Sequence, residues 1–147
     1  MADRFWGRIT IGGYLRRNDM DRFCREAEIR TDKIADFIED GRFVLEDSEA
    51  RYGQFEDLEK LCRKLGLPYI RQSGGMYEYS PEYSFWIPGM DSPVSVLLDH
   101  DGNMTVAMDD VRAALAVLRE GDAARAEEML AALITDLPEL PPFGITD

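Results

Sequence analysis

The chain has 147 residues, of which 45% are hydrophobic and 31% charged, and its net charge is −12. This composition excludes a disordered chain, and the length suits one domain, 1–147, around one core. The chain has only two cysteines and no apolar leader after Met1, so we do not expect a secreted disulfide scaffold. It also has no apolar run long enough for a membrane span, so we expect a cytoplasmic protein.

The first 72 residues carry the pattern of strands alternating with helices. Alternation predicts a strand over 5–11, and helical spacing predicts a helix over 19–27 and a short one after Thr31. A strand over 42–46, a helix over 54–65 that ends at Gly66, and an extended segment over 67–70 follow. The last three form a predicted βαβ unit with parallel strands.

Turn residues dominate the next part of the chain. Those at 73–75 predict a hairpin of 69–71 with 76–79, and those at 99–103 predict a hairpin of 94–98 with 104–108. Residues 83–87 are a further extended piece.

The C-terminal part is predicted to be a helical hairpin followed by a proline-rich tail. Asp109 would begin the first helix, and Gly121-Asp122 would end it and cap the second, which runs to Pro138. The residues predicted to face inward are Val111, Ala114, Leu115, Leu118, Ala126, Met129, Leu130, Leu133, Ile134 and Leu137. The tail, 138–147, should be extended.

These elements together predict an α+β domain. Its sheet would be mixed, with helices packed on it, and a ferredoxin-like core fits the first 80 residues. Antiparallel hairpins and the helical hairpin are additions to that core.

The negative charge is distributed unevenly. Residues 1–72 hold 14 basic and 15 acidic side chains, a net of −1, whereas residues 73–147 hold 3 basic and 14 acidic ones, a net of −11. Such a surface repels phosphates, so we expect no direct nucleic-acid binding, and it attracts basic proteins. The alternative is that the charge serves only solubility.

Aromatic residues are concentrated between positions 69 and 86. The segment holds six of the chain's fifteen aromatic residues, namely Tyr69, Tyr77, Tyr79, Tyr83, Phe85 and Trp86. Three interpretations stay open: core and cross-strand pairs, a protein interface, or a ligand site. Base stacking lacks the basic groove it would need.

No pattern predicts catalysis, a metal or a cofactor. His100 is the only histidine and lies at a predicted hairpin tip, where a substrate would not be shielded from water. The run from Asp99 to Asn103 has the first ligand spacings of a calcium loop, but Met104 stands where that loop needs glycine, so a turn is predicted. Cys24 and Cys62 lie on apolar helix faces, which favours core thiols over nucleophiles.

Two stretches carry a resemblance. They are Phe5-Trp6-Gly7-Arg8-Ile9-Thr10-Ile11-Gly12-Gly13, and Ala50-Arg51-Tyr52-Gly53-Gln54-Phe55-Glu56 continuing through Gly66-Leu67-Pro68-Tyr69 to Tyr77-Glu78-Tyr79. The chain resembles a group of small acidic bacterial and mobile-element proteins that have no assigned activity. The resemblance implies a role in the interaction of a cell with a phage or a plasmid, and it identifies no catalytic residues.

Two functions follow as hypotheses. The first is a non-enzymatic binding module, in its sharpest form an inhibitor that occupies the basic surface of a nucleic-acid-binding partner. Its predicted contact residues are Tyr77, Tyr79, Tyr83, Trp86, Asp99, Asp101, Glu120, Asp122, Glu127 and Glu128. The second is an enzyme or small-ligand binder, with a pocket between sheet and helices lined by residues such as Arg51, Tyr52, Tyr77 and Glu78.

Overall fold

A computed structural model describes residues 2–76 and 79–147. The strands are β1 (Arg4–Ile11), β2 (Gly13–Arg16), β3 (Ile38–Glu39), β4 (Arg42–Arg51), β5 (Tyr69–Ser73), β6 (Glu82–Trp86), β7 (Val94–Leu97) and β8 (Phe143–Thr146). The α-helices are α1 (Met20–Ala27), α2 (Glu56–Leu65), α3 (Met108–Arg119) and α4 (Ala123–Leu133), and Arg17–Asp19 and Thr31–Phe37 are 3-10 turns.

The main sheet has six strands in the order β3-β4-β1-β5-β6-β7, and all of its neighbours are antiparallel. The sequence β1-α1-β3-β4-α2-β5, with strand order β5-β1-β4-β3, is the connectivity of a ferredoxin-like core. The fold class is therefore α+β, as predicted. The βαβ prediction needs a correction, because β4 and β5 run in the same direction but β1 lies between them.

The hydrophobic core lies between one face of this sheet and helices α1 and α2. Alternation along β1 brings Ile9 and Ile11 to that face, and both are fully buried. The helices contribute Phe23, Cys24 and Ala27 from α1, and Leu58, Leu61 and Cys62 from α2. The predicted stripes of α1 and α2 are thus confirmed, whereas the short helix predicted after Thr31 is the 3-10 helix Thr31–Phe37, which buries only Ile34.

The C-terminal tail is extended, as predicted, and it runs from β7 at the edge of the sheet back to β1 and β4. The tail leaves α4 near β7, whereas Leu140 is buried beside Gly12 and Arg42, at the other side of the sheet. Arg42 Nε donates to the Leu140 carbonyl at 3.0 Å, and a Cβ at Gly12 would clash with the Pro141 carbonyl. The chain then ends as β8, which pairs with β2 in parallel.

The predicted hairpin of 69–71 with 76–79 is wrong, and so is the predicted strand over 104–108. Strand β5 pairs with β6 and not with 76–79, where the described residues Met76 and Tyr79 form an isolated bridge. Residues 104–108 contribute only a bridge from Met104 to Leu98, and Met108 already begins α3, so Asp109 is inside that helix. Side chains 104–108 are all exposed, so no covered face supports a strand there.

The helical boundaries in the second half are otherwise close to those predicted. The Asp122 carboxylate caps α4 by accepting from the backbone N–H of Arg125 at 3.1 Å. That helix ends at Leu133, five residues before Pro138, because Ile134 is already extended. In the described parts of the chain, no helix is both long enough and apolar enough to cross a bilayer.

Candidate partner-binding surface

Helices α3 and α4 form a hairpin, 108–134, that we call the acidic hairpin. The two helices pack on each other through small side chains, since Ala114 and Ala126 are the buried residues of α3 and α4. Alanines at a helix contact bring the two backbones close together, so the larger neighbouring side chains are left outside. The packing within the hairpin therefore uses little of its apolar surface.

The leucines predicted to face inward are exposed. Leu115, Leu118 and Leu130 are 41%, 48% and 42% exposed, and Ile134, just after α4, is 70% exposed. Leu118 and Leu130 each lie one turn beyond the buried alanine of the same helix, so both border the contact between the helices. The prediction that these residues enter the core is wrong, because the described elements leave them uncovered.

The exposed apolar surface continues from the hairpin to the edge of the sheet. A groove of about 490 Å³ separates the end of α4 from β7 and residues 105–107. Its apolar lining includes Val96, Leu97, Val106 and Leu133, and Leu97 and Val106 are more than half exposed. Several exposed apolar residues in one region are typical of an interaction surface.

Acidic side chains are frequent in the same part of the chain. Residues 99–128 hold eight acidic and three basic side chains, a net charge of −5. Glu120, Glu127 and Glu128 are exposed and have no ion-pair partner among residues 2–76 and 79–147. Asp122 is exposed as well, although its carboxylate also caps α4. The hairpin thus presents leucines and unpaired carboxylates side by side.

Asp99 and Asp101 lie in a separate loop whose turn was predicted correctly. The Asp99 carboxylate accepts from the backbone N–H groups of Asp101 and Asn103, both at 2.9 Å. Hydrogen bonds from Asn103, first among several in the loop, hold the pKa of Asp99 below its ordinary value. Asp99 therefore shapes the loop, and Asp101 is the carboxylate that points to solvent.

The aromatic residues predicted to contact a partner do not form one surface. Trp86 belongs to the core at 7% exposure, and its Nε1–H donates to the Met90 carbonyl, so the ring is not accessible to a partner. Tyr83 is half-buried in β6, and Tyr79 packs against Phe5. Tyr77 lies outside the described residues, as does Glu78. For Trp86 the core interpretation is therefore the correct one.

A second candidate site, the aromatic cleft, lies at the end of the sheet where β1 begins and β5 ends. Its volume is about 410 Å³, and Phe5, Tyr52, Ser73, Tyr79, Glu82 and Leu97 line it. The Tyr79 ring lies 5.7 Å from that of Phe5 and 5.6 Å from that of Tyr52. Of the residues predicted to line a small-ligand pocket, Tyr52 is in this cleft, and Arg51 lies beside it with its guanidinium 5.9 Å from the Tyr52 ring.

A buried ion cluster lies behind the aromatic cleft, and its members Ser73 and Glu82 line the cleft. Arg71, only 4% exposed, contacts Glu59 from α2 at 3.2 Å and Glu82 from β6 at 2.7 Å. The other oxygen of Glu59 accepts from the Phe55 N–H at 2.8 Å, and Ser73 Oγ donates to the Gly53 carbonyl at 2.6 Å. We did not predict this cluster from the sequence. The sequence feature that could have predicted it is the position of Glu59, which lies one helical turn from both Phe55 and Cys62 and therefore on the apolar side of α2.

The histidine and the two cysteines do not form a reactive site in the described part of the chain. His100 is exposed in the 99–103 loop, and the described residues contain no group of His, Cys, Asp and Glu arranged to hold a metal ion. Cys24 and Cys62 are buried and free, as predicted. Burial raises the pKa of both thiols, most strongly that of Cys62, so neither is held as the reactive thiolate.

The chain was also compared with known proteins. No protein-family model, no curated protein and no solved structure matches it.

Proposed function

We propose that this protein is a non-enzymatic binding module that engages a basic surface of another protein through the acidic hairpin. One observation carries the proposal: α3 and α4 leave Leu118 and Leu130 about half exposed beside unpaired carboxylates. Burial of the leucines would supply affinity, and the carboxylates would accelerate encounter and select basic partners. The partner's contact surface should therefore combine apolar side chains with Lys and Arg.

In its sharpest form, the proposal makes the protein an inhibitor of a nucleic-acid-binding machine. Proteins that bind nucleic acid neutralise phosphates with Lys and Arg, so their binding surfaces are basic. A nucleic-acid mimic would occupy that surface and exclude the phosphates. The net charge of −11 over residues 73–147 supports this version, and the resemblance to bacterial and mobile-element proteins favours a bacterial defence complex as the target.

The test is to reverse the charge of the acidic hairpin without disturbing its packing. Glu127 and Glu128 are exposed on α4 and are not ion-paired in the described residues, so Glu127→Lys with Glu128→Lys should fold normally. We expect association with a basic partner to slow by about tenfold at low salt, and the difference from wild type to shrink at high salt. The association rate at two salt concentrations is the measurement.

The matched control is an equal charge reversal on the other half of the chain. Glu49 and Asp57 are exposed, lie on β4 and α2 and have no ion pair in the described residues. Glu49→Lys with Asp57→Lys changes the net charge by the same amount. If the control slows association as much as the hairpin variant does, net charge and not the acidic hairpin is responsible, and the proposed docking surface is wrong.

A further inference from the structure

We propose that the aromatic cleft is a binding site for a cationic group, a primary ammonium or a guanidinium carried on an alkyl chain. No residue of the acidic hairpin lines the cleft, although Leu97 borders both the cleft and the groove beside α4, and this inference does not depend on the proposed function. Its volume, about 410 Å³, falls in the range of small-ligand pockets and suits one side chain or a small amine.

The ion cluster behind the cleft has an unbalanced charge. One guanidinium, that of Arg71, faces two carboxylates, so the cluster carries a net charge of −1. Both oxygens of Glu59 already have partners, and its side chain is only 7% exposed, whereas the Glu82 side chain is 22% exposed and lines the cleft. A cation in the cleft would balance the charge at Glu82, whereas an anion would be repelled.

The rest of the lining is suited to the same kind of ligand. Tyr52, Tyr79 and Phe5 present aromatic rings, and the face of such a ring attracts a cation through its quadrupole. The Tyr52 ring already has a guanidinium, that of Arg51 from outside the cleft lining, 5.9 Å from its centre, so a ligand cation at this ring would have to replace it. Leu97 supplies an apolar wall at the edge of the cleft, where an alkyl chain would pack.

The backbone at Tyr52 gives a further reason to regard the cleft as a site. Tyr52 has a φ of 53°, in the left-handed region that favours glycine and asparagine. The next residue, Gly53, has a φ of 65°, and a Cβ there would lie 2.6 Å from the Phe5 ring. Holding a tyrosine in a strained conformation costs stability, and residues of this kind concentrate at ligand sites.

The experiment is a titration of the full-length protein followed by NMR amide shifts of Ser73 and Glu82. The probes are n-butylammonium, n-butylguanidinium, the neutral analogue n-butanol and the anion butyrate. We expect saturable millimolar binding of both cations, and no saturation with n-butanol or butyrate. Blocked tripeptides with Lys or Arg at the centre distinguish the source of the cation: tighter binding than butylammonium indicates a protein side chain, and weaker binding indicates a free amine.

Two variants and one control complete the test. Glu82→Gln keeps an acceptor for Arg71 but removes the excess charge, and Tyr52→Asn removes a ring at a backbone position that asparagine tolerates. Each should weaken cation binding by about tenfold while the protein still unfolds cooperatively. Glu127→Gln, on α4 and outside the cleft lining, should bind as wild type. Binding of n-butanol or butyrate as tight as that of the cations, no saturation by any cation, or full affinity in Glu82→Gln would overturn the proposal.

Discussion

At the scale of single residues, Tyr69 shows how burial alters an ionisable group in this protein. Its side chain is fully buried in β5, and its hydroxyl oxygen accepts from Arg63 at 2.6 Å. Burial, with a smaller contribution from the charge of Glu59, raises the pKa of Tyr69 from its ordinary value of 10.0 to about 12. The folded state therefore holds the proton more tightly than the unfolded state does.

This pKa shift predicts a loss of stability at alkaline pH. The contribution of this pKa shift to the free energy of unfolding is complete below about pH 10. It is lost as the pH rises towards 12, because only the unfolded state releases the Tyr69 proton in that interval. Tyr69→Phe should lower the free energy of unfolding at pH 7 by about 1–2 kcal/mol, through the lost hydrogen bond, and should flatten the alkaline decline. Urea denaturation of both proteins between pH 7 and 11 checks this. Equal alkaline slopes would contradict the assignment to Tyr69.

His100 gives the residue-scale test of the non-enzymatic interpretation. The imidazole is exposed in a loop whose shape is fixed by Asp99, so its removal should not disturb folding. We expect His100→Ala to change the free energy of unfolding by no more than about 0.5 kcal/mol. If the protein had an activity that this substitution reduced by about a hundredfold without altering its melting, a catalytic histidine would be indicated and the interpretation would be wrong.

At the scale of elements, hydrophobic periodicity predicted most helices and strands but not what covers them. The stripes of α1 and α2 face the sheet, so their periodicity also predicted the core. The stripes of α3 and α4 have the same spacing, yet the described part of the chain provides no element to cover Leu118 and Leu130. Hydrophobic periodicity predicts which face of a helix is apolar, but whether that face is buried depends on the tertiary structure.

Short patterns and buried charges were predicted less well, for related reasons. The alternation Met104, Val106, Met108 imitates a strand, but a strand also needs a neighbour and a covered face, and these are set by the rest of the fold. Glu59 and Arg71 are charged residues in buried positions. Each is tolerated only because the other lies within 3.2 Å, and a pairing between α2 and β5 is not visible in either segment alone.

The exposed leucines make a prediction about the acidic hairpin as an element. Leu118→Gln with Leu130→Gln keeps helix propensity, and both side chains are already about half exposed, so we expect each to cost about 1 kcal/mol or less. The double variant should nevertheless lose binding to the partner. Thermal unfolding and partner binding are measured on the same samples.

The same substitution at a buried leucine is the control for this element. Leu61 in α2 is only 4% exposed, so Leu61→Gln should cost about 3 kcal/mol or more. If the double variant of the acidic hairpin were destabilised per residue as much as Leu61→Gln, its leucines would be part of the core and not of a docking surface.

At the scale of the whole molecule, the charge and the fold divide the chain at nearly the same place. The ferredoxin-like core, β1 to β5, is built from residues 4–73 and is close to neutral, whereas β6, β7 and the acidic hairpin belong to the strongly negative half. The C-terminal tail returns across the sheet to pair β8 with β2, which ties the two halves together. The additions to the core therefore carry nearly all of the excess negative charge.

The most direct test of the central claim compares the proteins captured from a bacterial lysate by three immobilised forms of the chain. These are the wild type, Glu127→Lys with Glu128→Lys, and the control Glu49→Lys with Asp57→Lys. We predict that the wild type and the control retain the same protein rich in Lys and Arg at low salt and release it at high salt, and that the hairpin variant does not retain it. Equal capture by all three forms, unaffected by salt, would contradict an acidic docking surface.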